Sequence, residues 1–485
     1  MKVINILKTF SKTEMNDFSK FVQSPYHNRG KNPAPLFEEL KKLYPAFETG
    51  ELTPEKLHEQ VFPGRKFNRQ IMWNMSSALE KLALKFLEQE SLKKHDFQRN
   101  ELLTFELGER KLAANYENVL GKMEKIIEDT GIDFYYFEYN GRLEDCRIEY
   151  YQMLDKRHLL PELTLRSIEY QMLLSLRMIV GGLGDMDGYT KNFNHKYETN
   201  VPHEYIRNLD LKKIVKYAYE NKFKYAFVFD IYYRGLVTLL EPENDDNFYT
   251  LRELYEKHFE SFSMRDKRNI VIWILNYCEY RSLAEPEKYY SLIFDMNEFR
   301  LKKGLAYYPK GQIPKLLFLR IINVALLLGK NKWARKFLKD YSSKLHPELI
   351  APVNAMANAF ILFDEGSYDE VLEQLKDFEL FDTRDKLSAR ALIAKTYFEL
   401  NENELLLSYI DSSRHYLKSK NVSERFRLPF SYFLNSLQKL MNLREEPDSF
   451  DINRLFAEMR SSGGTVERNW LMTKLKMLGA EEITI

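Results

Sequence analysis

The sequence predicts an all-α protein, an α-solenoid of antiparallel helical hairpins behind an N-terminal helical domain, and three observations predict it. Leu outnumbers Val 67 to 15 in the 485 residues, and γ-branched side chains lose less rotamer freedom in a helix than β-branched ones. Gly and Pro make up about 7% of the chain, where average usage is roughly 12%, too few for a turn-dense β fold. An apolar pattern also recurs every 35 residues between 311 and 420, in the columns Ile321/Met356/Ala391, Val324/Ala359/Ala394, Leu328/Phe363/Phe398 and Phe337/Leu372/Leu407. A constant interval over four columns describes a hairpin repeated three times, each unit burying its apolar faces on the next.

The N-terminal domain, residues 1–95, reads as four helices. Ser11-Lys12-Thr13-Glu14 is a capping box, followed by an apolar face of Met15, Phe18 and Val22 and a stop at Ser24-Pro25. Phe37, Leu40 and Tyr44 mark a second helix. Thr53-Pro54 opens a third, which ends at Phe62-Pro63-Gly64. Met72, Met75, Leu79, Leu82 and Phe86 form a heptad-like stripe on a fourth, longer one. Residues 96–310 continue as divergent hairpins, with breaks expected at 130–131, 158–161, 181–188, 201–202, 241–246 and 285–286. Aromatic runs such as Phe134-Tyr135-Tyr136-Phe137 are filler between these helices. Residues 311–447 hold the repeats, and 448–485 a helical cap with residues 461–465 between two short helices.

Charge and cysteine content narrow the function classes. Lys and Arg number 72 against 71 Asp and Glu, a formal charge of +1, so no global field attracts polyanions or an anionic membrane. Cys146 and Cys278 cannot make a disulfide framework, which predicts a reducing, intracellular setting. The apolar run at 3–7 is too short for an export signal, no N-terminal Cys offers a lipid anchor, and the apolar windows at 270–275 and 324–328 fall far below a membrane span. The expected location is cytoplasmic.

The run Glu365-Gly366-Ser367-Tyr368-Asp369-Glu370-Val371-Leu372 resembles the inter-helix turn of the tetratricopeptide repeat family: a Gly ends the first helix and an aromatic starts the second. The small column Val324/Ala359/Ala394 is similar to that family's small position on the first helix. Two positions depart: the family's first-helix aromatic falls on Arg320, Ala355 and Arg390, and its second-helix alanine on Lys336, Val371 and Leu406. The resemblance implies an inner surface carrying Phe318, Ile321, Ala325 and Leu328, then Val353, Met356, Phe360 and Phe363, then Ser388, Ala391, Lys395 and Phe398. Such a stripe would receive an amphipathic helix or peptide of another protein, with Lys395 offered to a carboxylate. The competing reading makes the stripe core.

Residues 35–86 resemble in outline a winged helix-turn-helix DNA-binding domain without its wing. Residues 1–100 hold 17 Lys and Arg against 12 Asp and Glu, and Arg65, Lys66, Asn68, Arg69 and Trp73 cluster where a recognition helix would meet a groove; the alternative is a helical bundle that caps the array. Arg252 and His258 match the Arg-x5-His spacing of small helical ribonucleases, against a solvated helix face. Residues 181–188, with four glycines, lack the Lys-Ser/Thr of a phosphate loop and read as a connector. His195 and His203 have no further ligand at metal spacing. The stretch 212–234 mixes Lys213, Lys216, Lys222 and Lys224 with aromatics, but Glu220 and Asp230 interrupt it. No cofactor and no metal is expected. The sequence therefore predicts a scaffold that binds another protein without catalysis; the alternatives are a regulator with a DNA-contacting N-terminal domain, or a helical ribonuclease.

Overall fold

In the computed structural model, which describes residues 2–28, 32–47, 52–128, 130–193, 195–282, 284–308, 311–376, 382–418, 422–461 and 466–481, the predicted helical periodicity is realised almost throughout. The described residues form twenty-four α-helices and, apart from isolated bridges, no strand. They fall into two compact units, one of residues 1–130 with 138–170, the other of residues 131–137 with 171–485.

The first unit begins with α1 (Lys2–Leu7), α2 (Lys12–Gln23), α3 (Ala34–Lys42), α4 (Pro54–Val61) and α5 (Arg69–Lys94). Only α1 is additional to the expected helices. The capping box of α2 is present: the Glu14 amide donates to Ser11 Oγ at 3.2 Å, and the Ser11 amide to Glu14 Oε2 at 2.7 Å. That backbone hydrogen bond draws the Glu14 carboxyl below its ordinary range. The whole stripe of α5 is buried and closes over Phe18, whose ring lies 5.5, 5.0 and 5.3 Å from Phe10, Phe37 and Phe86. The unit continues through α6 (Asp96–Glu109), α7 (Ala113–Glu128) and the greater part of α8 (Phe134–Met153). There the buried Glu144 accepts from Arg147 at 2.6 Å and Arg166 at 3.0 Å.

In the second unit Gly131 explains the break expected at 130–131. A Cβ there would stand 2.6 Å from the Ser263 amide, because residues 132 and 262 form a parallel bridge. The break expected at 181–188 is corrected: α9 (Leu160–Phe193), whose residues from 171 on belong to this unit, runs without interruption through all four glycines. Leu173, Leu176, Val180 and Leu183 share one buried face spaced 3, 4 and 3, and this face, which reaches into the first glycines, outweighs a helix-propensity loss of about 1 kcal/mol each. After α10 (Val201–Arg207), α11 (Leu211–Glu220), α12 (Ala226–Leu240) and α13 (Asp245–Lys257) comes α14 (Met264–Arg281), which holds α9. The fully buried Asp266 accepts three hydrogen bonds from Arg177 at 2.8 to 3.1 Å, one from Tyr232 at 2.9 Å and one from Asn269 at 3.0 Å. Such a pair holds its place only because every charge is answered.

The chain then passes through α15 (Pro286–Lys302), α16 (Lys315–Leu327), α17 (Asn331–Tyr341), α18 (Ile350–Asp364), α19 (Tyr368–Leu375), α20 (Thr383–Glu399), α21 (Asn403–Leu417), α22 (Glu424–Glu445), α23 (Ser449–Ser461) and α24 (Arg468–Met477). From α16 each helix packs on the next, and α16, α18, α20 and α22 also pack on one another in order. The 35-residue columns Ile321/Met356/Ala391 and Val324/Ala359/Ala394 are buried at every position. The same turn recurs with them. Gly329, Gly366 and Asn401 take φ of 64°, 80° and 59°, and the amides of Lys330, Ser367 and Glu402 just beyond donate to Ala325, Leu362 and Tyr397 at 2.9, 2.9 and 3.0 Å. This left-handed cap satisfies helix-end carbonyls and reverses the chain.

The fourth column drifts outward. Phe337 is buried, Leu372 partly so, and Leu407 is 37% exposed, while Val371 and Leu406 are fully buried. One residue is about 100° around a helix, so a small rotation of the later second helices exchanges adjacent positions.

Candidate partner-binding surface

Helix α20 starts where Asp382 caps it, accepting from the Asp385 amide at 2.9 Å, and Lys315 reaches both Asp382 and Asp385 at 2.6 Å. Leu387, Ala391, Ala394 and Phe398 form its buried face. At its C-terminal end Phe398, Lys395 and Glu399 lie together. The Arg444 guanidinium covers the Phe398 ring at 4.1 Å and donates to the Phe398 carbonyl at 2.6 Å.

The chain's own α24 meets this end of α20. Trp470 packs edge-on to Phe398 with ring centres 5.3 Å apart. Its indole N–H donates to Glu399 Oε1 at 2.8 Å, and Lys474 donates to Glu399 Oε2 at 2.7 Å. Glu467 accepts from Lys395 at 2.7 Å, and the Lys395 ammonium stands 4.5 Å over the ring of Phe363 and 5.8 Å from that of Trp470. Asn469 donates to the Tyr290 hydroxyl at 2.8 Å. Leu471 and Leu475 turn into the core shared with α22 and α23.

The predicted stripe divides accordingly. Phe318, Ile321, Met356 and Phe398 are buried, and so is Lys395, whose ammonium is taken by Glu467. Leu328, Phe360 and Phe363 are partly exposed. Glu399, Glu467, Trp470 and Lys474 were absent from the sequence candidates. Lys395 and Glu467 lie 72 positions apart, beyond the reach of any local spacing rule.

The N-terminal candidates surround the start of α5. Asn68 is its cap, accepting from the Ile71 amide at 3.1 Å. Arg65, Lys66 and Arg69 are exposed, and among the described residues none is held by an ion pair. Trp73 is 65% exposed, with Phe67 and Ile71 exposed beside it. The expected absence of a wing agrees with the lack of strands among the described residues.

The remaining candidates are engaged locally. Arg252 donates to Glu256 at 2.8 Å. His258 stacks on Phe227 at 4.1 Å, and burial, aided by Lys257, lowers its pKa. In the stretch 212–234, Lys216 pairs with Glu220 at 3.7 Å and Arg234 with Asp230 at 3.1 Å. Among the described residues no group of three or more His, Cys, Asp or Glu is placed to hold a metal ion. No described helix is long and apolar enough to cross a membrane. Cys146 and Cys278 are free and buried, and burial pushes their thiols up to about 11 and about 12. Residues 462–465, expected to link the last two helices, lie outside the described residues. Set against known protein families, curated proteins and solved structures, the chain matches none.

Proposed function

We propose that the chain is a non-enzymatic interaction scaffold whose helix pairs from α16 onward stack in a tetratricopeptide-like series and receive a peptide or helix of a partner along the face of α16, α18 and α20. One observation carries this: two columns at 35-residue intervals keep the same burial, and the turns between paired helices keep the same left-handed cap. Successive units so built present equivalent positions side by side, and a row of equivalent positions suits an elongated ligand. The partly exposed Leu328, Phe360 and Phe363 would supply its apolar contacts. Two free, buried cysteines fit work in a reducing cytoplasm. The test is to purify tagged full-length protein and its Phe360→Asp variant and identify what accompanies each. Loss of a specific protein with helical content unchanged supports the scaffold; the same companions on both, or a variant that unfolds, removes it.

A second reading, a partner-responsive regulator that touches DNA through its N-terminal helices, is favoured by the exposed Trp73 among unpaired Arg65, Lys66 and Arg69. Replacing those three cations with Ala in the full chain should weaken duplex binding and reduce the salt slope by about 2 to 3. An unchanged slope ends this reading.

A further inference from the structure

The end of this face is occupied by the chain's own α24. Helix α24 is 10 residues long, too short to persist alone in water. Its N-cap residue Glu467 stands in the left-handed region, φ 57° and ψ 25°, a conformation that disfavours any residue with a Cβ. Glu467 holds that conformation while it pairs with the buried Lys395.

The seat is furnished with polar groups that a simple hydrophobic cap has no need of. Both Glu399 oxygens are engaged, one by the Trp470 indole and one by Lys474 a turn later. The indole lies against Phe398, and charge anchors flank it on both sides. An aromatic in an apolar seat with charge partners at −3 and +4 is how a helical ligand is gripped in a groove.

Resting on the scaffold proposal, we infer that α24 is an internal ligand of this face. The partner is an amphipathic helix of the same chemistry: an acidic residue, a tryptophan-leucine pair three and four positions on, and a lysine-leucine pair one turn further. It enters by displacing α24 from Phe398, Lys395 and Glu399. Regulation follows from the arrangement, because a face occupied in cis binds a partner with its intrinsic affinity multiplied by the fraction of time the face is open.

The probe is a labelled synthetic peptide with the sequence of residues 466–480, applied to the full chain and to its Trp470→Ala/Lys474→Ala variant, which loosens α24 without touching the seat. The peptide should bind the variant at least about 10-fold more tightly than the parent, and Glu399→Gln added to the variant should remove most of that gain. Equal affinity for parent and variant overturns the inference. Hydrogen exchange on the unmodified chain tests it without mutation. The amides of α24 should exchange by an opening that leaves α20 and α22 protected; exchange at the rate of α22 makes α24 an integral part of the fold and overturns the inference. If α24 is integral while Phe360→Asp still releases a specific companion, only the internal ligand is lost. If the peptide binds as expected but Phe360→Asp releases nothing, the internal ligand stands and the extended scaffold face fails.

Discussion

Helix α9 and the helix pairs from α16 to α21 use glycine in opposite ways. In the pairs, Gly329 and Gly366 stand where the backbone must turn left-handed, and Asn401 takes the third such place. In α9, Gly182, Gly184 and Gly188 sit inside a continuous helix with nothing within 4 Å of where a Cβ would be. Elsewhere the same left-handed turn is made by Lys111, Asp155 and Lys222, with Leu112, Lys156 and Phe223 donating to Leu107, Tyr151 and Ala218 at 3.0, 2.8 and 2.9 Å. Glycine lowers the cost of a turn without commanding one.

If burial and a closed charge pair hold α9 straight, the largest effect comes from opening that pair. Asp266→Ala leaves Arg177 buried without a counter-charge and should cost about 3–5 kcal/mol in denaturant unfolding; a loss under about 1 kcal/mol would mean the apolar stripe suffices. In the pairs, Gly366→Val forces a β-branched residue into φ 80° and should cost about 2 kcal/mol, more than Asn401→Ala at the equivalent turn. In α9 the sign reverses: Gly182→Ala and Gly184→Ala should each stabilise by about 1 kcal/mol, seen as a raised melting temperature. If either destabilises, the helix needs its glycines for close packing that the open space around them does not suggest.

A smaller effect depends on pH. Burial pushes the Asp245 carboxyl upward, but hydrogen bonds from Tyr277, Lys288 and Tyr289, with Arg281 nearby, outweigh it and hold the group down to about 2. Because the folded value lies below the unfolded one of about 3.9, the stabilisation is complete above the unfolded value and fades as pH falls toward 2. Asp245→Asn should therefore flatten the acid limb of stability between about pH 4 and 2, by about 1 kcal/mol given the group's partial exposure. The smallest effect is Lys222→Gly, which relieves a left-handed lysine and should gain about 0.5 kcal/mol; no gain would mean the turn is already relaxed.

Helix class and most boundaries were legible because their causes are local. The Ser11 and Thr53 caps, the stop at Ser24-Pro25 and the stripe of α5 each draw on neighbours within one or two turns. The 35-residue period was legible for the same reason, repeated three times. The continuity of α9 through 181–188 was not legible because residue-level propensity carries nothing of the burial of Val180 and Leu183 that opposes it. The candidate surface was half legible. Its apolar columns follow from periodicity, but their division into core and exposed positions depends on how tightly successive helices close.

Composition and spacing thus decided that the chain is helical, where most helices begin and end, and that apolar positions recur every 35 residues, since all of these are settled by residues close in sequence. Packing alone decided that α9 stays whole, that Val371 and Leu406 replace Leu372 and Leu407 inside, and that Lys395 and Glu399 are answered by Glu467, Trp470 and Lys474. Those outcomes join side chains many helices apart, and the free energy of such a meeting exists only once the intervening chain has folded.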